Sequence, residues 1–167
     1  MYKLIQQRTF LSYIDRSREY YAAQGYTKPY EWPHYNDAPF APLQKPLAAC
    51  RVGLVTTAGQ PRPAGTFAAI LTPRDIYAQP VCPPPRNLFT DDLGWDKEAT
   101  HTKDVESFLP LSRLHEYEAA GRIGSVAPRF YGVPTDYSQK RTLERHAPQI
   151  LGWCREDSVD ALLLAAL

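Results

Sequence analysis

Val159-Asp160-Ala161-Leu162-Leu163-Leu164-Ala165-Ala166-Leu167 is a short apolar run that follows a polar, helix-like segment. A run of this length and composition reads as a strand buried inside a parallel sheet. Upstream, Cys50-Arg-Val-Gly-Leu-Val-Thr-Thr57 is a second strand of the same character, almost wholly apolar. Between them, Pro110-Leu111-Ser112 opens a helix through Ala120 with Leu111, Leu114 and Tyr117 on one face and Gly121 beyond its end. Ile123 to Ala127 is a further strand candidate. Ser138 to Asp157 is helical, capped by Ser138, with Leu143, Ala147, Ile150, Leu151 and Cys154 as its apolar stripe. Pro148 inside it predicts a kink or a fresh start. The order strand, crossover, helix, strand, helix, strand specifies an α/β class: a partial parallel sheet with flanking helices.

Ahead of this α/β domain (48–167, ending on a buried parallel strand) the first 47 residues read differently. Thr9 to Ala23 forms a helix pattern, with Thr9 as cap, Phe10, Ile14, Ser17 and Tyr21 on one face, and Gly25 at its end. An extended arm rich in proline and aromatics follows through Leu43; packing of Tyr30, Trp32, Tyr35 and Phe40 competes there with a ligand-stacking role. The 16 prolines, nearly twice the ordinary frequency of about 5%, concentrate between Pro29 and Pro85.

At 167 residues the chain is long enough for a real core. A net charge of +1 leaves no electrostatic footprint for nucleic acid or an acidic membrane. No apolar stretch approaches the roughly 18 residues that span a bilayer, and the N-terminus lacks a signal-peptide h-region, so a cytoplasmic protein is expected. Cys50, Cys82 and Cys154 make neither a disulfide framework nor a metal motif, and no cofactor is implied. Cys154 lies on the helix stripe and reads as a core filler.

In open α/β sheets, ligands bind outside the carboxyl ends of the strands. Thr56 and Thr57, in the turn Thr56-Thr57-Ala58-Gly59, are therefore substrate-binding candidates. So are Arg129, whose fork suits a carboxylate but equally a surface ion pair, and Thr135. Asp96, His101 and Asp104 form the densest polar cluster. They are catalytic candidates for acid/base work, their spacing matches no standard metal motif, and a hydrogen-bonding role for His101 and Asp104 is the simpler reading. His34, His115 and His146 are given no role.

The stretch Arg113-Leu-His-Glu-Tyr-Glu-Ala-Ala-Gly-Arg-Ile-Gly-Ser-Val-Ala-Pro-Arg-Phe-Tyr-Gly132 resembles the selenoprotein B family of glycine, sarcosine and betaine reductases, which includes the D-proline reductase subunit. The resemblance extends to Leu54-Val-Thr-Thr-Ala-Gly59, Pro110-Leu-Ser-Arg-Leu114 and Val159-Asp-Ala-Leu-Leu-Leu164. Tyr20-Tyr-Ala-Ala-Gln-Gly-Tyr26 with Pro39-Phe-Ala-Pro-Leu43 is similar to a subgroup lacking selenocysteine. It implies reductive carbon–nitrogen cleavage of a small amino or ammonium compound. In that family the nucleophilic selenocysteine or cysteine lies in the loop after the strand matching Val159 to Leu164. Here Ala165-Ala166-Leu167 stand at that point, and none of the three cysteines matches. Three expectations follow: a reductase subunit or N-terminal portion whose thiol comes from a partner chain, a binding or assembly protein that lost the nucleophile, or a chain cut short, as by a UGA read as stop. The partner in the first two is a second subunit or a second copy, engaged through the edge of the terminal strand.

Overall fold

The computed structural model describes residues 12–28, 36–37, 41–60, 75–90, 98–133, 135 and 138–167. The chain divides into two units, residues 1–41 and 42–167. The first holds helix α1 (Tyr13–Ala23), capped by Ser12, whose Oγ accepts the Asp15 N–H at 3.3 Å. Gly25, at φ +87°, follows its end, where a left-handed residue closes a helix. Tyr20, Tyr21 and Tyr26 meet edge to face, with centroids 5.5 and 5.6 Å apart. Thr9 and Phe10, and the arm aromatics Tyr30, Trp32, Tyr35 and Phe40, lie outside the described residues.

The second unit is an α/β fold built on a five-stranded, mostly parallel sheet. Its strands are β1 (Arg51–Thr56), β2 (Tyr77–Pro80), β3 (Ser125–Val126), β4 (Arg129–Gly132) and β5 (Ala161–Ala165). β1 is central: β3 and β4 pair parallel along one side of it and β5 parallel along the other, while β2 runs antiparallel outside β4. The interior of β1, Val52 to Val55, is apolar because both its faces are covered. Val52, Leu54 and Phe130 pack in one cluster with Phe108, Leu109, Leu111 and Leu114, from helix α2 (Leu111–Ala119) and the chain before it. Val55 and Tyr131 pack on the opposite face with Ile150 and Cys154.

Those last two belong to α3, which runs as Gln139–Arg141, a π turn at Thr142–His146, and Ala147–Glu156. Pro148 explains the irregularity. It has no N–H to return to the preceding turn, and the Ala147 N–H reaches back five residues to the Thr142 carbonyl. The extra residue alters the expected stripe. His146, Ile150 and Cys154 are buried, whereas Leu143 and Leu151 are exposed.

One strand candidate is extended, and one strand appears where none was expected. The Ile123–Ala127 candidate does not stop at Pro128. Register shifts from Arg51↔Ser125 and Val52↔Val126 to Val55↔Tyr131 and Thr56↔Gly132, so Ala127 and Pro128 form a bulge and the strand resumes at Arg129. β2 emerges from the proline-rich stretch, where Pro80 is tolerated because the strand lies on an edge.

The terminal strand is parallel, as expected, but it is not buried. Among the described residues it pairs with β1 alone, and Leu162, Leu163 and Leu164 are 39%, 43% and 74% exposed. An uncharged run reads as interior, yet an edge strand has a neighbour on one side only.

Candidate functional site

The carboxyl ends of β1, β4 and β5 come together at one end of the sheet. Thr56 is fully buried, and its Oγ1 turns back to accept the Ala58 N–H at 3.2 Å. Thr57 joins the neighbouring strand end. Its Oγ1 accepts the Leu167 N–H at 2.8 Å and donates to the Leu167 carbonyl at 3.2 Å. The turn after β1 and the residues after β5 are thereby one structure. Tyr77 covers the β4 side: its hydroxyl donates to the Ala58 carbonyl at 2.8 Å, and its ring occupies the space over Gly132. A Cβ at Gly132 would fall 2.0 Å from that ring, so only glycine fits.

Beside this end, a groove of about 190 Å³ lies between α3 and the approach to β2, lined by Asp75, Ile76, Arg145, Gln149 and Trp153. Arg145 is ion-paired with Asp75. Trp153 stacks on Tyr131 at a centroid distance of 6.0 Å. On the sheet-facing side of the same helix, His146 is 1% exposed, and its Nδ1 has no hydrogen-bond partner among the described residues. Its imidazole is a proton-carrying group that sequence reading passed over, because nothing about an isolated histidine signals burial.

The opposite, amino end of the sheet is tied by charge. Asp157, at the end of α3, accepts from Arg129 Nε at 2.8 and 3.1 Å and from the Tyr131 hydroxyl at 2.6 Å. Arg129 Nη2 also reaches Glu156 at 2.9 Å, and Arg51 Nη1 donates to the Asp157 carbonyl at 2.8 Å. Burial works against ionisation of Asp157, but the Arg129 and Tyr131 hydrogen bonds outweigh it and hold the carboxyl below its ordinary value. Burial, with the bond to Asp157, pushes the Tyr131 hydroxyl well above its own. The Asp157 bond likewise holds Arg129 firmly protonated.

Arg129 therefore begins a strand and does not end one, and its fork is engaged by Asp157 and Glu156. The strand candidate that ended at Ala127 left Arg129 in the segment after it, whereas the strand resumes there. Thr135 is exposed. His101 is exposed and accepts the Lys103 N–H on Nδ1, and Asp104 caps a short 3₁₀ turn by accepting the Glu106 N–H at 3.1 Å. No hydrogen bond or ion pair among the described residues joins His101 or Asp104 to Thr56, Thr57 or Arg129. Asp96 lies outside the described residues. Among the described residues no group of three His, Cys, Asp or Glu side chains could hold a metal.

The cysteines lie away from the carboxyl ends of β1, β4 and β5. Cys50 precedes β1, fully buried, with its thiol near the Lys45 and Pro46 carbonyls. Cys82 is exposed and follows β2, which ends beside the start of β4. Cys154 is buried under α3, where burial pushes its thiol up. No helix among the described residues is long and apolar enough to cross a membrane. No protein-family model, curated protein or solved structure matches the chain.

Proposed function

We propose that the chain is a unit of a selenoprotein B-like reductase. It contributes a substrate half-site for reductive carbon–nitrogen cleavage of a small amino or ammonium compound. The attacking thiol or selenol comes from another polypeptide segment. The observation that supports this is the junction of Thr57 with Leu167 at 2.8 Å. It joins the turn after β1, where open α/β sheets place ligands, to the position after β5, where the resemblance puts the nucleophile. In the bond-breaking step the thiolate or selenolate bonds to carbon as the amine leaves with the C–N electron pair. None of the chain's own cysteines follows β1, β4 or β5, and the two buried ones are poor candidates for a reactive thiolate.

The test is an NMR titration of the purified chain with glycine, sarcosine, betaine and proline, paired with an assay for amine release under a dithiol reductant. The expected result is saturable shifts at Thr57, Ala58 and Leu167 with at least one of them, and no amine release by the chain alone. Absence of binding to all four overturns the substrate class. Release by a variant lacking all three cysteines overturns the external thiol. A second reading, an assembly protein derived from the same family, is favoured by one observation: the exposed leucines of β5.

A further inference from the structure

We propose that the groove between α3 and the approach to β2 binds a neutral planar nitrogen heterocycle, adenine or its nucleoside, stacked on Trp153 and read by Gln149. The proposal rests on this groove and not on the reductase reading.

The groove follows from the side chains that border it. His146, Ile150 and Cys154 form the buried row of α3. Arg145, Gln149 and Trp153 each stand one residue earlier, about 100° round the helix, and this second row lines the groove. On the strand side, Ala78 pairs with Tyr131 and packs against the cluster that holds Ile150. Ile76, two residues before it, comes to the same face and lines the groove as well. A methyl group is all that β2 offers at Ala78, so the space beside the helix stays open.

Trp153 supplies a fixed platform. Its indole stacks on Tyr131, with the rings 6.0 Å apart and 21° from parallel. Tyr131 is fully buried, and its hydroxyl donates to Asp157 at 2.6 Å. The indole is thus ordered before any ligand arrives, which lowers the entropic cost of binding. A second planar ring extends the stack from the groove side.

The polar groups set the ligand class. Asp75 is doubly engaged, its Oδ1 by the Ile76 N–H at 2.9 Å and its Oδ2 by Arg145. Asp75 and Arg145 neutralise each other, so the lining carries no net charge and favours neither a phosphate nor an ammonium. Gln149 is exposed, and its side-chain amide has no hydrogen bond among the described residues. It offers a donor and an acceptor side by side, the arrangement that pairs with N7 and N6 of adenine. The volume of about 190 Å³ lies below the roughly 300–1,000 Å³ of sites for drug-sized ligands. One fused ring system fits, with anything attached to it left in solvent.

An NMR titration of the full chain with adenine, adenosine, AMP and guanosine tests this. Adenine and adenosine should give saturable shifts at the Trp153 indole N–H and the Gln149 amide. AMP should bind within about fivefold of adenosine, because an exposed phosphate gains little from a guanidinium that is already paired. Guanosine presents acceptors at both O6 and N7 and should bind at least about fivefold more weakly. Gln149→Leu alters an exposed side chain, so it should leave the circular dichroism unchanged while removing the preference for adenosine. Absence of saturable shifts, equal affinity for guanosine, a preference that survives Gln149→Leu, or AMP binding tighter than that fivefold margin overturns the site. The readouts lie at Trp153 and Gln149 and not at Thr57, Ala58 and Leu167, so this site and the functional reading fail separately.

Discussion

Asp157 ties the end of α3 to two strands, because its carboxylate and carbonyl together hold Arg129, Tyr131 and Arg51. Asp157→Asn leaves a guanidinium and a phenol facing an amide in a site where the aspartate is 9% exposed. It should cost about 3 kcal/mol at neutral pH, read as a lower urea midpoint. The sign of the pH dependence follows from the depressed carboxyl. The stabilisation is fully present above the unfolded value of about 3.9 and is lost as pH falls through the lower folded value. The Asp157→Asn substitution should therefore flatten the acid limb of the stability curve, and an unchanged limb would count against the network. Cys154 was legible in the sequence as a core residue because it sits on a helical stripe. Asp157 was not, since its partners stand 26 and 28 residues away and one lies behind a proline that reads as the end of a strand.

Elements reveal where local pattern sufficed. Ser138 caps α3 as read, accepting the Arg141 N–H at 3.2 Å, and Gly121 follows α2 at φ +68°. β1 and α2 were legible because each carries the periodicity of its own burial. β2 was not, being a four-residue edge strand that ends in proline. β5 is legible as a strand and as parallel, but composition does not distinguish an interior strand from an unprotected edge. The end of β5 depends on one hydroxyl. Thr57→Val keeps the shape but leaves the Leu167 N–H without its acceptor. It should cost about 1 kcal/mol in a urea titration, with faster amide exchange at Leu167 and unchanged exchange at the centre of β1. Equal acceleration at both places would mean that the contact holds the whole sheet.

At the scale of the whole molecule, the α/β class followed from the order of elements, whereas the candidate site did not follow from any one stretch. Thr57 and Leu167 are 110 residues apart and meet only because β1 and β5 are sheet neighbours. His146 reaches the sheet only through the packing of α3. Among the described residues, the two core clusters draw their members from Val52 onward. Residues 42–167 expressed alone should accordingly unfold in one cooperative thermal transition, followed by circular dichroism. A broad, non-cooperative melt would show that the compact unit needs the preceding residues.

The π turn of α3 also bears on descent. Such a turn is geometrically an α-helix that has gained one residue, so Thr142–His146 has the form of a single-codon insertion absorbed without breaking the helix. Everything C-terminal to it keeps its phase against the sheet, while Leu143 is carried round to solvent. Homologues one residue shorter between Ser138 and His146 would then align in the buried half of the helix. Their position equivalent to Leu143 would be free to face inward, as the plain helical spacing suggests.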